Sequence, residues 1–407
     1  MNAVAGLTGS LPGDAINPSI FAARFASGHQ EPSIQLGGAA GDVATVRQPS
    51  GSQFIPALSG LRAIAALAVL GMHLSSKGLL PRVFVGARTG ELGVMLFFCL
   101  SGLLMTNLYL RQEAAPASLW RFVRARFARI FPLFAVVVIG SALIYHFDSR
   151  FPFHLDALDA AKHLLLFGSG TTLWSISVEF QFYAAFIGLW LVYAALPDIY
   201  REFGLVVVCI GAILALWTLG YPGERIAITH YGQIFLIGVL AAMIFWHAPE
   251  GWGGAASLFL PVLLALDVTT ALVLGPSEYD CYRSTALLIL TGAIVLCAAT
   301  GQGFFAERIL GSRLMVYLGE LSFGLYLLQK PAIFFCKTLG LLLGLHLHGN
   351  KLLVLILATL LVAAHLAYRF IEQPARRALT RDHEDVSRKE SVEGIAPEAP
   401  SSRVVSG

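Results

Sequence analysis

Arg62 and His73 stand eleven residues apart inside one apolar stretch, LSGLRAIAALAVLGMHL. A helix turns about 100° per residue, so eleven residues make three turns plus roughly 20°. Both side chains therefore fall on one helix face, about 16 Å apart along the axis. Ionisable side chains inside a membrane span are costly and mark sites by default. The pair has the form of the cationic and basic ends of one polar track. Taken singly, each also has an interfacial reading, with Arg62 snorkelling to the headgroups and His73 at the far surface.

Further polar residues in other apolar stretches favour a site. TTLWSISVEFQFYAAF carries Trp174, Ser175, Glu179, Gln181 and Tyr183. A carboxylate in that setting must be paired or neutralised, and Arg62 or Arg129 is the expected partner of Glu179. Trp174 and Tyr183 also fit an interfacial aromatic belt. Arg129 follows Arg121, Arg124 and Arg126 and stands one turn inside its span, just before Pro132. There its guanidinium is suited to forked binding of phosphate oxygens. Ser101, in GVMLFFCLSG, is either a small residue for helix packing or a hydrogen-bond donor into the track. YLGELSFGLYLLQKP adds Tyr317, Glu320, Tyr326, Gln329 and Lys330, which either close the same cavity or form a structural intramembrane ion pair.

Composition defines the elements that must position these groups. The chain has 407 residues, of which 56% are hydrophobic and only 13% charged. A soluble domain carries about 25% charged residues, so this is an all-α polytopic membrane protein. A span needs about 20 apolar residues. Ten stretches qualify: 55–75, 91–110, 127–147, 174–196, 204–220, 228–246, 255–274, 284–300, 317–345 and 351–371. Lys330 and Pro331 interrupt the ninth, so a kink or break is expected there. The segment RQEAAPASLWRFVRARFAR between the second and third spans is rich in arginine, as is the region after the last span (Arg376, Arg377, Arg381). The positive-inside rule places both, and both termini, in the cytoplasm. Lys77, Arg82 and Arg88 in the first outer loop run against that pattern.

Residues 1–52 and 379–407 read as cytoplasmic tails without periodicity, flanking a transmembrane domain at 53–378. Cys99, Cys209, Cys281, Cys297 and Cys336 lack ligand spacing and read as small core residues. His163, His230, His346 and His348 have no convincing metal-ligand spacing. No metal site and no nucleic-acid partner is expected.

In order along most of the chain, GLRAIAALAVLGMH, GVMLFFCLSG, RARFARIFP, LWSISVEFQFY, LGELSFGLYL and YRFIEQPAR resemble the acyltransferase 3 family of integral membrane O-acyltransferases. The family's arginine and histidine, ten residues between them, fall on Arg62 and His73. Its Phe-Ser-Gly segment falls on Phe97, Phe98, Ser101 and Gly102, its third-span arginine on Arg129, and its Trp-Ser-Glu segment on Trp174, Ser175 and Glu179. Ser59 and Met95 stand where the family often has aspartate, and Gln329 where a histidine is common.

The resemblance implies transfer of an acyl group, usually acetyl, from acyl-CoA to a hydroxyl of a saccharide or other hydroxylated acceptor. The enzyme would lie in the bacterial inner membrane, with acyl-CoA as co-substrate and no permanently bound cofactor. His73 would act as general base or take the acyl group transiently. Glu179 would orient or tune the track. Arg62, Arg129 and Arg126, with Ser101, Trp174 and Ser175, would bind the donor. Two other readings use the same residues: a transporter with a buried Arg/His/Glu path, and a membrane scaffold without catalysis.

Overall fold

The computed structural model describes residues 54–83, 88–169, 171–224, 226–249, 251–274, 278–344 and 347–380. The expected tails lie outside these, apart from Leu379 and Thr380, which close the last helix. Every regular element among the described residues is helical. In chain order they are α1 (Pro56–Ser76), α2 (Thr89–Met105), α3 (Pro116–Phe147), α4 (Ala157–Leu164), α5 (Trp174–Ala195), α6 (Arg201–Thr218) and α7 (Gly232–Trp246). There follow α8 (Trp252–Leu274), α9 (Glu278–Arg283), α10 (Thr285–Ala299), α11 (Arg313–Glu320), α12 (Ser322–Leu342), α13 (Gly349–Ala367) and α14 (Gln373–Thr380).

Among the described residues, eight helices are long and apolar enough to cross a membrane. The sixth and eighth stretches of the ten read from sequence form shorter apolar helices, Gly232–Trp246 and Thr285–Ala299. Both are mostly buried, whereas α6 buries only Leu205 and Cys209 and turns Phe203, Ile210, Leu214 and Trp217 outward. Hydropathy registers apolar content, not which neighbour covers it, so interior and lipid-facing helices read alike.

The first, second and seventh helices form the centre, α1 packing on α2 and α2 on α7. A Cβ on Gly102 would strike the Phe235 carbonyl, and one on Gly238 would strike the Cys99 carbonyl. These two helices therefore touch backbone to backbone, as small residues permit in lipid. Packed against that centre, α11 and α12 line the other side of α1, α13 covers α12, and α14 returns onto α3.

Two boundaries differ from the sequence expectation. The third helix begins at Pro116 rather than near residue 127, with proline in its first turn and 32 residues in all. At about 1.5 Å per residue it is about 48 Å long, well beyond the roughly 30 Å of hydrocarbon. The arginine cluster therefore continues the helix past the apolar window instead of forming a loop. The ninth stretch does break, but at Leu321 between α11 and α12 and not at Lys330–Pro331. Pro331 lies inside an unbroken α12; neighbouring helices make such prolines tolerable in membranes. The break falls where Gly319 lies against the Ser59 carbonyl so closely that a Cβ would collide.

Candidate active site

Five of the long helices converge on a small cavity, part of it open to the surroundings. Arg62 comes from α1, Phe97, Phe98 and Ser101 from α2, Arg129 from α3, Ser175 and Glu179 from α5, and Ser322 and Tyr326 from α12. Glu179 Oε1 accepts hydrogen bonds from Ser101 Oγ at 3.1 Å and Tyr183 Oη at 2.5 Å. Tyr326 Oη donates to the Thr172 carbonyl at 2.9 Å and lies 2.9 Å from Ser175 Oγ, which then donates to it. Ser101 is thus a hydrogen-bond donor into the polar track as well as a packing residue.

The expected Glu179 ion pair does not form. Glu179 satisfies its carboxylate with hydroxyls, and no arginine lies within ion-pair distance of it among the described residues. Glu179 is nevertheless the anion acting most strongly on Arg62. Arg62 and Arg129 line the cavity and make no hydrogen bond or ion pair of their own among the described residues. Arg126 and Arg376 stand close enough to add their fields to both. Cations held in a mostly apolar cavity and not ion-paired with its one lining carboxylate form a ready site for a polyanion.

Two expected donor-binding residues lie behind the cavity wall. Arg126 is buried, donates from Nη2 to Tyr109 Oη at 3.2 Å and leaves Nε without a partner. Trp174 stacks on Tyr231 with ring centroids 4.7 Å apart and meets Phe98 edge-on. Its aromatic neighbours make it part of an interior layer, not an interfacial belt. In the arginine-rich segment, Arg111 is taken up by Glu202 at 2.9 Å and by the Trp246 ring.

His73 shares the face of Arg62, as its spacing requires, but lines a second cavity. That cavity, of about 420 Å³, is bounded by His73 of α1 and Lys77 just beyond it, Arg150, Pro152 and His154 of the loop after α3, and Lys330, Ile333, Phe334 and Lys337 of α12. On the intervening face of α1, Ala66 and Val69 are fully packed, which separates the two spaces. His73 Nε2 is buried and has no hydrogen-bond partner. On α12, Tyr326 belongs to the first cavity and Lys330, one turn on, to the second. Gln329 between them is buried, donating to the Tyr326 carbonyl at 2.9 Å while its Oε1 has no partner.

Sequence reasoning placed Tyr326 among residues that either close the cavity or form a structural ion pair, and gave no site role to Ser322, Lys337, Arg150 and His154. The signal for Tyr326 and Lys330 was their i, i+4 spacing on one face; loop residues carry no such period. Among the described residues no group of three or more His, Cys, Asp or Glu is placed to hold a metal. All five cysteines are free and buried. His163 and His230 are each bonded to a backbone carbonyl, at 2.7 and 3.0 Å, while His346 lies outside the described residues.

Residues 55–368 match the acyltransferase 3 family model, described as an acyltransferase domain. The chain belongs to that family and is an integral membrane protein. It is 26% identical over 366 residues to the peptidoglycan O-acetyltransferase OatA of Listeria monocytogenes, a match covering 80% of this chain and 56% of that protein. To the O-acetyltransferase OatA of Staphylococcus aureus it is 24% identical over 369 residues, covering 80% and 58%. The chain therefore spans little more than half the length of these relatives. No solved structure matches it.

Proposed function

We propose that this protein is a bacterial inner-membrane O-acyltransferase that moves an acyl group, most simply acetyl, from acyl-CoA to a saccharide hydroxyl. The observation that carries this reading is the pair of guanidiniums in the first cavity, Arg62 and Arg129, which have no hydrogen-bond or ion-pair partner among the described residues. Acyl-CoA bears phosphates at one end and a thioester at the other. Its phosphates would lie at the arginines, and its extended arm would carry the thioester along α1 toward His73, about 16 Å away.

At the second cavity His73 Nε2 would take the proton of the acceptor hydroxyl as that oxygen forms its bond to the thioester carbon. The coenzyme A sulfur then leaves with the electrons of the broken C–S bond. A positioned base of this kind contributes on the order of 10²–10⁴ in rate. Direct transfer and an acyl-histidine intermediate share this geometry, and the relatives' names support a cell-wall saccharide as acceptor. The route requires the packed zone at Ala66, Val69 and Gln329 to open when the donor binds.

The two cavities in series along α1 and α12 also suit a transporter path. Membranes carrying the protein, supplied with acetyl-labelled acetyl-CoA and a cell-wall saccharide acceptor, distinguish the readings. Label entering the saccharide supports transfer; saccharide movement without labelling supports transport.

The orientation has both ends of the chain in the cytoplasm and the second cavity outside. A cysteine at exposed Arg82 should react with an impermeant thiol reagent from outside, and one at exposed Glu113 only from the cytoplasm. The reverse pattern would place the His73 cavity on the donor's side.

A further inference from the structure

The second cavity is strongly basic, and nothing in the acyl-transfer reading itself requires that. Lys77, Lys330, Lys337, Arg150, His73 and His154 line it, and among the described residues no acidic side chain does. The acid adjoining it is Asp148, which Arg150 grips with Nε and Nη2 at 2.9 and 2.8 Å. That fork neutralises Arg150 and leaves the lysines uncompensated. Lys77, Lys330 and Lys337 make no ion pair and no hydrogen bond among the described residues; Lys330 has only the Phe153 ring, with its Nζ 5.9 Å from the centroid.

Two of these lysines sit on a membrane-spanning helix, one turn and three turns beyond Tyr326. Holding them there uncompensated is costly. A ligand that carries negative charge removes that cost, and a neutral ligand does not. The cavity walls also offer Ile333, Phe334 and Pro152, an apolar surface for the carbon face of a sugar ring, and a volume of about 420 Å³ lies within the range of ligand sites, roughly 300–1,000 Å³.

From this we infer that the acceptor is an acidic saccharide, one bearing a carboxylate or phosphate, held by Lys330 and Lys337 beside His73. The inference deepens the acyltransferase reading and rests on it for the word acceptor; the anion site itself does not.

The test uses the full-length protein in phosphatidylcholine nanodiscs and measures binding of a uronate-bearing oligosaccharide and of the same oligosaccharide after carboxyl reduction. The acidic form should bind at least tenfold more tightly. The gap should collapse in Lys330→Gln and Lys337→Gln, persist in Lys337→Arg, and leave acetyl-CoA affinity unchanged. Should the glutamine variants fail to fold, the wild-type protein still decides: its affinity for the acidic form should fall with added salt while that for the reduced form stays constant.

Equal affinity for the two forms, or a gap that survives loss of both lysines, overturns the inference. Loss of saccharide binding when phosphatidylglycerol is added to the discs assigns the cavity to a lipid headgroup and overturns it as well. A binding gap without any acyl transfer would instead sink the enzymatic reading and leave the anion site standing.

Discussion

The two cavities differ in how their charge is arranged. In the first, Arg62 and Arg129 face a carboxylate that is already satisfied by Ser101 and Tyr183. In the second, cations face one another across an open space with no acid on the wall among the described residues. The first is a prearranged mixture of signs, in which Glu179 restrains the field of the arginines without cancelling it by a direct ion pair. The second has no internal restraint among its described lining residues. On the proposed reading, the first would hold one end of a ligand and the second would select among ligands by charge.

The sharpest break in this comparison is at His73. His73→Ala should reduce acyl transfer by about 10²–10⁴-fold, the span of general-base contributions, with acetyl-CoA affinity retained and the protein still in the membrane. Near wild-type turnover would remove the chemistry from the second cavity altogether.

The next largest effect is at the first cavity. Arg62→Ala or Arg129→Ala should weaken acetyl-CoA binding by about 10- to 100-fold, as expected for hydrogen bonds to charged groups worth roughly 1.5–3 kcal/mol. Lysine should rescue part of this, because it brings the charge without the fork. Saccharide affinity measured in the same variants should hold; a parallel loss would mean that the two cavities act as one.

Ser101→Ala sharpens the role of Glu179. It deletes one donor to the carboxylate and should cost about 1 kcal/mol, read as an increase in acetyl-CoA dissociation constant of severalfold. Glu179→Gln should shift it the other way, tightening acetyl-CoA binding, because it removes the anionic charge that restrains Arg62. Equal effects would make the carboxylate a packing group.

The smallest effect concerns the border of the second cavity. Asp148 is held down to about 2, chiefly by the side-chain bond from Arg150. Its folded value lies below the ordinary carboxylate value, so the fork is intact at neutral pH and is lost only as pH falls toward 2. Acidification from pH 7 to about 4 therefore leaves Arg150 neutralised. Asp148→Asn should release it and tighten binding of the acidic oligosaccharide about twofold, within the small range of exposed ion pairs.

The alternation of apolar and polar composition was enough to find the helices, because burial in lipid and burial in protein demand the same residues. It could not distinguish α6, whose surface faces outward, from α7, which is covered on most sides. The shared face of Arg62 and His73 was legible from an eleven-residue interval. Their separation into two cavities was not, since it depends on Ala66, Val69 and Gln329, residues with no chemical signature. Glu179 was legible as a polar intruder, but its partners were misread: hydroxyls from another helix and from one turn along its own satisfied it before an arginine was needed. The basic wall contributed by Arg150 and His154 was hidden for a different reason. Those residues lie in a loop, and only the folded path of α3 brings them over α12.

The fifteen residues of α7 span only about 22 Å, against roughly 30 Å for hydrocarbon. Pinned to α2 through Gly102 and Gly238, it occupies the interior rather than the lipid boundary. A rod that short leaves several ångströms of the hydrocarbon thickness to be covered by other parts of the chain, among them the turn Ile228–His230 at its start and its longer neighbours. Changes in lipid chain length should therefore be felt first at the long outer helices and only weakly at the centre.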